Sequence, residues 1–113
     1  GMDALSAADR LKLETARSVR EDFLHQNAFD ETDTYTSLFK QYLMMKLIMN
    51  FYDKAFDAVK KGASIEKIVA VPSRESIGRF KYVPEENIEN EYSGIITALE
   101  KDMEEALTAA DTE

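Results

Sequence analysis

Ser37 to Gly62 reads SLFKQYLMMKLIMNFYDKAFDAVKKG. Leu38, Tyr42, Leu43, Met45, Leu47, Ile48, Met49, Phe51, Tyr52, Phe56 and Val59 occupy most of a helical circumference. A helix apolar nearly all round sits at the centre of a bundle or in a membrane. Lys40, Lys46, Asp53, Lys54 and Asp57 interrupt this one too often for a membrane span, so direct membrane insertion is not expected. Ser37 is placed to cap its start and Gly62 to close its end, which gives a central helix over 37–61.

The flanking segments read as helices too. In the preceding one, over 7–24, Ser6 is an N-cap candidate with Asp9 three residues on. Leu13, Ala16, Val19 and Phe23 follow at three- and four-residue spacing, which predicts one apolar stripe. Downstream, Ser64, Ser73 and Pro72 punctuate short helices within 64–83. Pro84 opens a last helix over 85–109, striped by Ile88, Tyr92, Ile95, Ile96, Leu99, Met103 and Leu107. No strand pattern of useful length is present. The expected fold class is all-α, a helical bundle.

Composition narrows the chemistry. The chain has 113 residues, 44% of them hydrophobic, which suits one folded domain or part of one. The net charge of -8 argues against nucleic-acid partners, whose phosphates call for clustered Lys and Arg. The absence of cysteine excludes disulfides, thiolate metal sites and cysteine nucleophiles. A single histidine, His25, excludes two-histidine metal sites and suits a helix end better than catalysis. No phosphate-cradling Gly-x4-Gly-Lys-Ser/Thr loop occurs. Glu85, Glu86, Glu89 and Glu91 cluster at a helix start, where the dipole favours acids without any metal. The expected sites are therefore neither catalytic nor metal-binding. The residues alone describe an acidic helical domain, such as a stand-alone adaptor for a partner protein.

One stretch resists that description. In Asp22 to Tyr35, DFLHQNAFDETDTY, the aromatic Phe29 stands directly before the acids Asp30, Glu31 and Asp33. Read on its own, Phe29 is a hydrophobic plug for the bundle. The longer run GMDALSAADRLKLETARSVREDFLHQNAFDETDTY, with KQYLMMKLI, FYDKA and, more weakly, VPSRESIGRFKYVPEE, resembles the C-terminal domain of the catalytic A subunit (alpha chain) of V-type and archaeal-type ATP synthases. The last helix, after about Ile88, is similar only in character.

The resemblance implies several things. Gln26-Asn27-Ala28-Phe29 matches the family's Gln-Asn-Ala-Phe motif, so the connection over 25–36 would line the adenine pocket, with Phe29 against the ring. His25 stands where the family usually has Gln. The related F-type beta subunit carries a rotor-facing Asp-Glu-Leu-Ser-Glu-Glu-Asp loop. Asp3-Ala4-Leu5-Ser6-Ala7-Ala8-Asp9 takes the matching place, with alanine for all three glutamates. A rotor-facing loop over 3–9 is thus expected, with little negative charge. The family's phosphate loop, catalytic glutamate and magnesium ligands lie upstream and have no counterpart here. The resemblance therefore implies a bundle incomplete at its N-terminus, with no ATPase chemistry or cofactor of its own. Mg-ATP or Mg-ADP would belong to the parent enzyme. Its B subunits and central-shaft rotor subunits would be partners, in a peripheral, cytoplasmic part of a membrane-bound complex driving H+ or Na+.

Overall fold

The computed structural model describes the backbone of residues 2–24 and 37–111. Among these residues the chain is helical with no strand. Helix α1 spans Met2–Ser18 and continues as a π-helical turn, Val19–Leu24. Helix α2 spans Leu38–Lys60, α3 Ile65–Val69 and α4 Pro72–Arg79. Two 3-10 turns, Phe80–Tyr82 and Glu85–Asn87, lead into α5, Ile88–Asp111.

α2 is the hub, packing against α1, α4 and α5. Leu43, Met44, Leu47, Ile48, Phe51, Ala55 and Ala58 form its buried face. From α5, Ile88, Ile95, Leu99, Met103 and Ala106 meet that core, and Ile68, Ile77 and Phe80 join it from the short elements. α2 is not apolar-buried all round, however. Leu38, Tyr42 and Met49 are exposed, with Phe39 beside them.

α1 departs from its expected phase. Leu13 and Ala16 face solvent, and the fully buried residue is Leu11. The inward line is Leu11, Thr15, Ser18 and Asp22, at spacings of four, three and four. Small and polar residues occupy most of it, so a search for apolar periodicity settles on the wrong side. The π turn adds a residue to the helical cycle and shifts the following face by about 100°. Within this turn Val19 and Phe23 both rest half-buried against the core.

Segment 3–9, expected as a loop leading into a helix over 7–24 with Ser6 as its N-cap, is helical, because α1 begins at Met2. The alanines at 4, 7 and 8 account for this: alanine is the strongest helix former, and no Gly or Pro stands in the way.

The helix ends explain the remaining boundaries. Gly62 has φ 103°, with Gly62 N donating to Val59 O and Ala63 N to Ala58 O, which is the Schellman arrangement. α4 starts at Pro72, not at Ser73, since proline is pre-shaped for the first helical position. Asp102 of α5 accepts the Ser73 backbone N–H at 2.9 Å and so ties α5 to the start of α4. Asp102→Ala should lower stability by about 1–2 kcal/mol in chemical denaturation, a cap-sized loss. Ser73→Ala should cost almost nothing, because the buried Ser73 Oγ has no hydrogen-bond partner of its own.

Candidate functional site

The residues matched to the adenine pocket, Gln26, Asn27, Ala28 and Phe29, lie outside the described residues, as does the whole connection over 25–36. The structure does describe what flanks them. Before them stands the π turn, and after them the capped start of α2.

Ser37 caps α2 in extended backbone geometry, its Oγ accepting the Lys40 backbone N–H at 3.0 Å. Glu85 grips the same serine: Oε1 accepts Ser37 N at 3.1 Å and Oε2 accepts Ser37 Oγ at 2.8 Å. The Ser37 backbone N–H, together with that hydroxyl and the charge of Lys40, holds the Glu85 carboxyl below the usual carboxylate range. Glu85 thus acts across the fold rather than merely on its own helix start.

Lys40 is fully buried, and its Nζ donates to Lys81 O and Val83 O, both at 2.7 Å. Charge-assisted bonds of this kind offset the large desolvation cost of a buried ammonium. Composition marks Lys40 as an interruption in an apolar helix. Its phase tells more, since it lies on the line of Met44, Leu47 and Phe51 that faces the core.

On the other side, Lys81 Nζ donates to Glu21 O in the π turn at 3.3 Å. Asp22 sits beside Gly78, its Oδ1 3.3 Å from where a Cβ would stand. Burial pushes the Asp22 carboxyl up, against the pull of Lys81 and Arg74. Arg17, Asp22, Arg74, Gly78, Arg79 and Lys81 line a cleft of about 520 Å³. Its cations are already engaged: Arg17 with Glu21, Arg74 with Glu14, Arg79 with Glu75 and Lys81 with Glu21 O. Three of these cations face a carboxylate partner, whereas the carbonyl that Lys81 meets carries no net charge to cancel its own.

Among the described residues no cluster of His, Cys, Asp or Glu could hold a metal ion, and no helix is long and apolar enough to cross a membrane. Of the expected rotor-contact residues, Asp3, Ala4, Leu5, Ser6, Ala7, Ala8 and Asp9, all lie in the first turns of α1. Asp9 is exposed, and Ala7 and Ala8 are half-buried.

These features define an all-helical domain organised around α2. Residues 1–69 match the family model for the C-terminal domain of V and A type ATP synthase. The chain is 51% identical over 109 residues to the V-type ATP synthase alpha chain of Acetivibrio thermocellus, covering 96% of this chain and 18% of that one. It is 52% identical over 103 residues to that of Clostridioides difficile, covering 91% and 17%. With that of Clostridium botulinum it shares 56% over 90 residues, 80% of this chain and 15% of that one. The chain spans less than a fifth of the length of these relatives. It belongs to the family of C-terminal domains of V- and A-type ATP synthases.

Proposed function

We propose that this chain forms the C-terminal part of a catalytic alpha subunit in a V-type ATP synthase or ATPase, coupling ATP turnover to H+ or Na+ transport. In this reading the domain closes over the adenine through Gln26, Asn27, Ala28 and Phe29. It passes force to the central-shaft rotor through residues 3–9, within a peripheral complex that includes B subunits at the cytoplasmic face. ATP and Mg2+ would be held chiefly by groups outside this chain.

The observation that carries the reading is the unbroken helical run from Met2 to Leu24. It has the rotor-matched residues at its start, and the Gln-Asn-Ala-Phe sequence follows directly after its end. Such a run, about 33 Å long at 1.5 Å per residue, links two separated contacts through one element. The push would be mainly steric, since Asp3 and Asp9 are the only acids in the segment.

The test is nucleotide affinity in the assembled enzyme. Phe29→Ala should weaken ATP binding by roughly one to two orders of magnitude, the loss of one aromatic stacking face. Phe29→Tyr should stay within about threefold, because the π face survives. Unchanged affinity in Phe29→Ala would refute the adenine role.

A further inference from the structure

The two ends of the segment over 25–36 hang on one strip of chain, Phe80 to Glu85. Lys81 serves both sides: its Nζ reaches Glu21 O at 3.3 Å, while its own carbonyl accepts Lys40 Nζ at 2.7 Å. Two residues on, Val83 O accepts the same ammonium at 2.7 Å. Glu85 completes the strip by holding Ser37 through both carboxylate oxygens, at 3.1 and 2.8 Å. The strip is pinned to the core by Phe80, which is fully buried.

We infer that Lys40, Lys81 and Glu85 form a clamp of positioning residues that sets where the adenine-facing connection leaves α1 and enters α2. This rests on the adenine reading of Phe29. None of the three is assigned a contact with nucleotide; they act through the ends they hold. The arrangement exceeds what helix stability requires, since Ser37 Oγ already caps α2 without Glu85. Lys40 meanwhile places a charge at full burial to grip two carbonyls of a turn. A flat ring that must lie against a base depends on its placement, because stacking needs the two faces in contact and in suitable offset. Phosphate chemistry, supplied elsewhere, would be spared.

The readout is the preference for ATP over CTP, whose smaller base offers less stacking area, in the assembled ATPase. Lys81→Ala at a half-buried position, Glu85→Ala at an exposed one and the buried Lys40→Met should each raise KM for ATP roughly tenfold with kcat within about twofold. The ATP:CTP ratio of kcat/KM should fall by a similar factor. Lys81→Arg keeps a donor for Glu21 O and should restore the preference. Asp102→Ala, a cap of comparable structural cost away from the strip, should leave it unchanged. If Lys40→Met does not assemble, the Lys81 and Glu85 variants decide. Loss of the preference in Phe29→Ala, with the clamp variants no worse than Asp102→Ala, overturns the clamp and leaves the adenine reading standing. A preference that survives Phe29→Ala overturns the adenine reading and the clamp with it.

Discussion

Phe80→Ala should cost about 3–5 kcal/mol, the range for removing a buried aromatic ring. Phe80 is fully buried in the turn that touches α2, α4 and α5, so no single neighbour can relax into the space. Against a domain stability of about 5–15 kcal/mol, that loss leaves a fold close to failure. Thermal melts should show a midpoint lowered by roughly 10–20 °C. Phe80→Leu should cost less than half as much, since most of the volume stays filled. A midpoint within about 3 °C of wild type for Phe80→Ala would mean that the turn is not part of the core.

Arg74→Ala should be the second large loss, about 3–4 kcal/mol, because it strips several contacts at once. The guanidinium pairs with the Glu14 carboxylate at 2.5 Å, donates to Val69 O at 3.3 Å and lies 5.8 Å from the Phe51 ring centroid. Both side chains are about one-fifth exposed, so removing the cation leaves Glu14 partly buried and unmatched. Arg74→Lys should recover only part of the loss, since a point charge cannot reproduce the planar fork. The pair also sets a pH dependence. The hydrogen bond from Arg74 holds the Glu14 carboxyl below the usual carboxylate range. Its stabilisation is therefore complete above about pH 5 and is lost as pH falls through the depressed folded value. Asp22 works the other way: burial raises its pKa, so protonation at low pH relieves a cost of the folded state. Comparing wild type with Glu14→Gln from pH 7 to pH 3 isolates the first effect. The difference between them should shrink as the pH drops, and a constant difference would exclude the assignment to Glu14.

How much could be read in advance differed by element. α2 was legible because its apolar positions are dense and its caps, Ser37 and Gly62, are chemically distinctive. α5 was legible from its clean stripe, including Ile88, Ile95, Leu99 and Met103. The docking face of α1 was not, since Thr15 and Ser18 carry no hydrophobic signal while Leu13 and Ala16 offer a false one. The helical start at Met2 was hidden by likeness to a loop whose glutamates are alanines here. Lys40 and Glu85 escaped for a different reason. Each bonds to residues more than 40 positions away, and helical spacing carries no information over that distance. Gln26 to Phe29 came from resemblance alone; no periodicity picks out an aromatic in a polar connection.

The polar inner face of α1 has a consequence for the order in which the domain opens. Among its residues with described side chains, Leu11 is the one fully buried apolar anchor. Polar ties to the short elements supplement it: Arg10 to Glu66, Glu14 to Arg74 and, in the π turn, Glu21 O to Lys81, with Val19 and Phe23 only half-buried against the core. Amide exchange in α1 should therefore run through a partial opening that leaves α2 and α5 intact. Raising the salt concentration should hasten that opening selectively, because the exposed Arg10–Glu66 pair is screened while the apolar lattice is not. A helix fastened in this way can change its tilt without melting the core beneath it.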